Sequence, residues 1–282
     1  MTLAWSPRTL LEAREALAQG AIKVAGATDL LVVDHATGRE HESVLNVLGI
    51  RELQGISVEA DQLGIGAAST FTKIRQSEDV AKHAPLLATA AATIGAAQIQ
   101  NRATIGGNIA NASPAGDSLP ALLALGALIV ITGPHERRIV PYNAFHRGYR
   151  LTALGPDELI ERVLIPLPSP AVQVFRKIGA RAAQAISKVV VGFASDRLEN
   201  HVLANVRLAV GSVAATPVRL PEVEVLIEDN PLTAELADRA AALVEMNISP
   251  IDDVRSTASY RRHVAGQVVR RLLLDLLGPP PA

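Results

Sequence analysis

The amino-acid sequence predicts an α+β fold built in two parts. The first half mixes short apolar strands with helical runs. Three prolines in five residues, Pro166, Pro168 and Pro170, then mark a linker. Beyond it, strand-like runs over 172–178, 188–195 and 203–211 precede helical runs over 217–228, 233–246 and 256–277. The strands are joined by hairpin-sized connections at Gly179-Ala180-Arg181-Ala182-Ala183-Gln184 and Arg197-Leu198-Glu199-Asn200. Three antiparallel strands followed by helices describe an α+β unit. The expected division is 1–168 and 169–282.

Taken in order, Ser6-Pro7 reads as N-cap and first-turn proline of a helix. Leu10, Leu11 and Leu17 form its apolar stripe, and Gly20 ends it. A strand over 21–25 runs into Gly26-Ala27-Thr28-Asp29 and an apolar turn, Leu30-Leu31-Val32-Val33. This junction is either a tight turn capped by Asp29 or a set of amides presented to a pyrophosphate. Strands follow over 44–47 and 62–67. Gly64-Ile65-Gly66-Ala67-Ala68-Ser69 imitates the start of a dinucleotide fingerprint. The third glycine is missing, and the alternation of Leu63, Ile65 and Ala67 says strand.

Ser69 or Thr70 caps a short helix carrying Ile74, and an alanine-rich helix is expected over 85–97. A helix over 119–125, a strand over 127–132, a polar turn at 134–137 and a strand over 138–141 come next. The stretch 142–157 is irregular and carries Tyr142, Phe145, His146, Tyr149 and Arg150. Rings beside a cation can wall a ring system or a partner surface; a loop anchored by two rings is the plainer alternative. His146 has no second base or ligand at a telling spacing. A strand over 158–166 closes the first half. On the last helix, Val264, Val268, Leu272 and Leu276 form an apolar line. Arg261, Arg262, Arg270 and Arg271 mark the opposite face, either solvated or docked on a partner.

Among 282 residues, 49% are hydrophobic, enough for a sizeable core. Basic and acidic residues number 27 and 28, which argues against a general nucleic-acid binder. The absence of cysteine excludes disulfides, iron–sulfur ligation and a cysteinyl–flavin link within this chain. It is compatible with a cytoplasmic protein. Met1-Thr2-Leu3-Ala4-Trp5-Ser6-Pro7 shows no signal-peptide pattern. The longest apolar stretch, 121–131, is too short for a membrane span and is broken by Gly126.

The segment 98–117 is the chemical centre of the chain. It holds Thr104-Ile105-Gly106-Gly107-Asn108-Ile109-Ala110-Asn111 and Ser113-Pro114-Ala115-Gly116-Asp117. Its amides and small polar side chains are expected to form a loop rather than core. Gly106 and Gly107 let a ligand approach the backbone, and consecutive amides would form an anion nest. Asp117 would cap the next helix or accept from a ribose. An ordinary Gly/Asn-rich turn is the alternative.

That string resembles the second flavin loop of the molybdenum hydroxylase family, which includes xanthine, aldehyde and carbon monoxide dehydrogenases. Val24-Ala25-Gly26-Ala27-Thr28-Asp29-Leu30 resembles the family's first flavin loop, with Ala27 in place of a glycine. That replacement is expected to be tolerated if the backbone keeps negative φ. Phe145-His146-Arg147-Gly148-Tyr149-Arg150 and Pro156-Asp157-Glu158-Leu159-Ile160 resemble the approach to the flavin. Phe175-Arg176-Lys177-Ile178-Gly179, Gln184-Ala185-Ile186-Ser187-Lys188-Val189, Arg255-Ser256-Thr257-Ala258 and Tyr260-Arg261-Arg262-His263 resemble the C-terminal domain.

The resemblance implies a two-lobed FAD-binding domain of the vanillyl-alcohol-oxidase type, then a smaller α+β domain. It implies the medium subunit of a heterotrimer. A large subunit would hold molybdopterin and a small one two 2Fe–2S clusters, with electrons passing through FAD to NAD⁺ or another acceptor. By the same resemblance, Lys23, Val24, Ala25, Gly26, Ala27, Thr28, Asp29 and Leu30 hold the pyrophosphate. Thr104, Gly106, Gly107, Asn108 and Asn111 line the phosphate and ribityl path, and Asp117 meets the adenosine side. Ile160 and Lys177 lie near the isoalloxazine or dinucleotide. No acid–base dyad is required, because the cofactor carries the chemistry. A purine ranks first among substrates, ahead of aldehydes and carbon monoxide. Two alternatives are a stand-alone flavin oxidase of the vanillyl-alcohol type and an assembly module that has lost FAD.

Overall fold

The computed structural model describes residues 2–181, 184–197 and 201–278. The expected connections at 182–183 and 198–200 lie outside the described residues. The first lobe is a small parallel sheet. Strands β1 (Leu3–Trp5), β2 (Ile22–Val24) and β3 (Ser43–Asn46) pair in the order β1-β3-β2. Parallel neighbours need crossovers, supplied by α1 (Leu10–Ala18) and α2 (Leu30–Thr37). Helix α1 buries Ala13, Ala16 and Leu17. Its cap is Thr9, not Ser6: the Thr9 hydroxyl accepts from the Glu12 N–H at 3.2 Å.

The second lobe is antiparallel. It contains β4 (Ile56–Glu59), β5 (Gln62–Gly66), β6 (Leu128–Thr132), β7 (Arg137–Pro141), a hairpin of β8 (His146–Gly148) and β9 (Leu151–Thr152), and β10 (Leu159–Pro166). Its main sheet runs β4-β5-β10-β6-β7. Alternate residues Leu63 and Ile65, Ile129 and Ile131, and Val163 and Ile165 turn one face into core. Five helices from the segment after β5 contribute: α3 (Phe71–Gln76), α4 (Glu78–His83), α5 (Pro85–Thr93), α6 (Ala97–Gln100) and α7 (Ile105–Asn111). A sixth, α8 (Ser118–Ala124), is buried along its whole length. The cap of α3 is Thr70, as one of the two expected hydroxyls.

Two expectations for this stretch fail. The helix from Pro85 stops at Thr93, because Gly95 takes φ 53 and turns the chain. The polar loop at 105–111 is instead α7. Thr104 caps it, and Ile105 and Ile109, one turn apart, bury its inner face. The pair of glycines lowers helix propensity, but burial of that face overrides it.

The C-terminal part carries β11 (Val172–Gly179), β12 (Ser187–Arg197) and β13 (Leu203–Gly211), all antiparallel. A fourth strand, β14 (Val218–Arg219), adds to β13; two residues are too few to show a period. The helices are α9 (Pro221–Ile227), α10 (Ala234–Asn247) and α11 (Ala258–Leu277). On β12, Val189, Val191 and Phe193 face these helices. Val190 and Ala194 face the core of the first part. Gly192 lies against α8: a Cβ there would stand 2.7 Å from the Pro120 carbonyl oxygen.

Arg261 leaves the basic face expected for α11. It is 4% exposed and donates to the Ser212 carbonyl at 2.8 Å and Asp253 at 2.7 Å. Arg270 pairs with Asp238, and Arg271 with Asp275 at 2.8 Å. Among the described residues, no helix is long and apolar enough to cross a membrane.

Candidate cofactor site

A cleft of about 1580 Å³ opens between the two lobes and the C-terminal part. Every residue from Lys23 to Leu30 lines it. So do Thr104, Gly106, Gly107, Asn108, Asn111, Asp117 and Ile160. Lys177 stands behind this wall and reaches it through Asp117.

The first loop is built by close packing. A Cβ on Gly26 would meet the Arg102 carbonyl oxygen at 1.9 Å, so only glycine fits. Ala27 has φ 60, against the expected negative value. The left-handed step reverses the chain just before α2 and turns successive amides to one side. Asp29 does not cap α2 with its side chain. Among the described residues, the amides of Gly26, Ala27, Thr28, Asp29 and Leu30 donate to no protein acceptor. Five unspent donors at a helix N-terminus suit an anion.

The second loop does the reverse. Ile105 N–H donates to Ser69 O at 3.0 Å and Gly106 N–H to Ala67 O at 2.9 Å. Gly107 N–H donates to Thr104 Oγ1 at 3.1 Å and Asn108 N–H to Thr104 O at 3.0 Å. All four amides are spent inside the protein, so the expected anion nest is absent here. What remains is surface. Gly106 is pressed on the chain after β5, with a Cβ site 2.6 Å from Ala67 Cβ. Gly107 faces outward. A Cβ there would meet Thr104 Oγ1 at 3.0 Å and, across the cleft, Ala25 Cβ at 3.9 Å. Asn108 accepts from Ser118 at 2.6 Å and Asn111 from Arg150 at 3.1 Å.

Asp117 and Lys177 form a buried ion pair at 2.6 Å. Lys177 also donates to the Thr93 carbonyl at 3.0 Å. Burial raises the Asp117 carboxyl above its ordinary value, and Lys177 opposes the rise. Asp117 does not cap α8, and its Oδ1 is buried with no partner. Lys177, expected near the isoalloxazine or the dinucleotide, shares one corner of the cleft with Asp117. Lys23 ties β2 to the loop before β10 by donating to the Pro156 carbonyl. Burial lowers its pKa, against the pull of Asp157 and Glu158. Ile160 is buried at the start of β10, beside a register shift.

The sequence reading singled out no cleft role for Ser212, Asp253 or Arg261, which line the C-terminal arm. Burial pushes the Asp253 carboxyl up, but hydrogen bonds from the Arg255 amide, the Arg261 guanidinium and the Ser256 amide hold it at about 2. Asp253 and Arg261 flank the start of α11, and Ser212 joins them from the distant end of β13. His146 lies outside the cleft, 3.1 Å from the Tyr142 hydroxyl. Burial depresses its pKa to about 4, so it stays neutral and structural.

The site fits a dinucleotide cofactor on three counts: unspent amides, a wall cleared of Cβ atoms, and an orphaned carboxylate oxygen. Fold and cleft thus define a two-lobed cofactor-binding chain with an added α+β domain. Residues 2–168 match the FAD binding domain in molybdopterin dehydrogenase, and 174–276 match the CO dehydrogenase flavoprotein C-terminal domain. The chain is 32% identical over 257 residues to the xanthine dehydrogenase FAD-binding subunit of Escherichia coli O157:H7, covering 89% of this chain and 87% of that one. It is 30% identical over 276 residues to the carbon monoxide dehydrogenase medium chain of Hydrogenophaga pseudoflava, covering 95% and 94%. A solved carbon monoxide dehydrogenase from Hydrogenophaga pseudoflava, lacking the Mo-pyranopterin moiety of its cofactor, superposes with a TM-score of 0.91 at 29% identity, covering 96% and 95%. The chain belongs to the FAD-binding subunits of the molybdenum hydroxylase family.

Proposed function

We propose that the chain works as the medium subunit of a molybdenum hydroxylase, with a large molybdopterin subunit and a small 2Fe–2S subunit as partners. FAD, when bound, supplies the two-electron chemistry that links iron–sulfur clusters to NAD⁺ or another acceptor. The chain's own residues bind and orient it. The free amides of 26–30 hold the pyrophosphate, and the observation that carries this reading is that they have no protein acceptor. Gly107 leaves clearance for the cofactor against the first loop. The amide groups of Asn108 and Asn111 serve the ribityl hydroxyls. Asp117 Oδ1 accepts from the adenosine end, with Lys177 fixing its partner oxygen. Ile160 and Leu154 provide apolar wall. The division of labour follows 1–168 for the cofactor and 169–282 for the covering domain, and a cytoplasmic location belongs to the same reading. Substrate choice rests with the large subunit, and a purine is the first substrate to assay.

A visible spectrum of the purified chain, then acid release and chromatography of the chromophore, tests the proposal. Released FAD supports it, and molybdenum and iron in a co-purified complex extend it to the partners. A colourless chain that takes up no added FAD, alone or with partners, refutes it.

A further inference from the structure

Lys23 lines the cleft, and its charge is already in use there. It lies on β2, just ahead of the free amides of the first loop. Its ammonium donates to the Pro156 carbonyl. Burial lowers its pKa, while Asp157 and Glu158 nearby pull the other way. Pro156 belongs to the turn between β9 and β10 in the second lobe. The contact therefore runs from one bank of the cleft to the other.

That turn is held from behind. Arg138, on β7, does not line the cleft. Its Nε and Nη2 close a fork on Glu158 at 2.9 and 2.7 Å, and Nη2 also donates to the Ala153 carbonyl at 2.8 Å. Glu158 Oε2 accepts a further bond, from the Gly155 N–H at 2.6 Å. Both oxygens of Glu158 are thus spent inside the protein, although the residue lines the cleft. Its side chain is only 12% exposed. A forked pair of this kind fixes geometry as well as charge. It ties 153, 155 and 158 to one strand and so holds the Pro156 carbonyl in front of Lys23.

We infer that Lys23 is a latch between the two lobes rather than a ligand of the cofactor phosphates. Arg138 is the positioning residue that holds the latch's acceptor, through Glu158. On one bank the latch leads into the amides of 26–30. On the other it leads to Leu154 and Ile160 of the apolar wall. A ligand gripped by both banks feels their spacing, whichever way round it lies. Leu159 packs in one cluster with Leu45 and Leu53, and this apolar seam keeps the lobes joined when the latch is cut. The effect on the cofactor rests on the reading that the cleft holds FAD.

The test uses the full chain, its Lys23→Met, Arg138→Met and double variants, and FAD titration by fluorescence at several salt concentrations. Each single change is expected to weaken FAD binding about tenfold, the order of one charge-assisted hydrogen bond. The double variant is expected to be no weaker than the weaker single, because both changes cut one chain of contacts. An ion pair with a phosphate fades as salt rises. Lys23→Met is therefore expected to keep the salt dependence of the wild type. A double variant about a hundredfold weaker, the additive result, overturns the coupling. A flattened salt dependence in Lys23→Met makes that residue a phosphate ligand and overturns the latch. Unchanged affinity in either single variant overturns the assignment as well. If Arg138→Met does not fold, Arg138→Lys, which keeps the charge and loses the fork, takes its place. A wild-type chain that binds no FAD overturns the cofactor reading itself, and this assignment with it.

Discussion

Gly107→Val separates ligand clearance from fold stability. The new Cβ would stand 3.0 Å from Thr104 Oγ1 and 3.9 Å from Ala25 Cβ. Its branched side chain adds bulk between α7 and the first loop, where the proposed reading places the cofactor. Overfilling a packed site costs about 1–3 kcal/mol, which weakens FAD binding about 5- to 150-fold. The apoprotein is affected much less. Crowding the Thr104 cap costs about 1 kcal/mol, and removing a helical glycine returns about 0.5–1 kcal/mol. Gly106→Ala is the control. Its Cβ would lie 2.6 Å from Ala67 Cβ and 2.8 Å from Ala67 O, where backbone must move. It is expected to destabilise the apoprotein by about 1–3 kcal/mol. FAD titration and urea unfolding of both variants give the comparison. An unchanged FAD affinity for Gly107→Val, or an unaltered midpoint for Gly106→Ala, refutes the assignment of the two glycines.

Two electrostatic predictions accompany it. Lys177→Met leaves the Asp117 carboxylate buried without its cation and is expected to cost about 3–5 kcal/mol at neutral pH. Burial already raises the Asp117 carboxyl, and loss of Lys177 raises it further. A carboxyl with a raised folded pKa binds its proton more readily when folded. The deficit therefore shrinks as pH falls through that pKa; urea midpoints at pH 7 and pH 5 that show a constant deficit contradict this. Asp253→Asn strips the buried Arg261 of its carboxylate and is expected to cost about 1–3 kcal/mol. Asp253 is held at about 2, below its unfolded value. Its stabilisation is present above about pH 4 and is lost as pH falls towards about 2. Parallel wild-type and Asp253→Asn stability profiles across that window would sink the idea.

Much of the architecture was legible because periodicity and punctuation are local. Leu63, Ile65 and Ala67 announced β5, and the prolines at 166–170 marked the passage to the last sheet. The two loops that line the cleft were legible as strings. Their division of work was not. Whether an amide at Ile105 or Gly106 is free depends on the chain after β5, which supplies Ser69 O and Ala67 O from a distant segment. The same holds for Gly26, whose close approach to the Arg102 carbonyl brings together distant segments. Arg261 looked like surface charge because Ser212, Lys188 and Asp253 reach it only through tertiary folding. The likeness to a family singled out residues that the fold brings to one cleft; which of their amides are free depends on tertiary partners.

The middle of strand β12, 189–195, has no outside. Its odd-numbered valines belong to one hydrophobic interior and its even-numbered neighbours to another. At Gly192 it touches the backbone of α8 without a side chain between. The two halves of the chain thus share a party wall. Removing the C-terminal part would leave α5 and α8 facing water, and removing the first part would strip the other side of the sheet. The cleft inherits its geometry from that shared strand: its two banks stand on one foundation, so drift of one against the other requires breaking an interior.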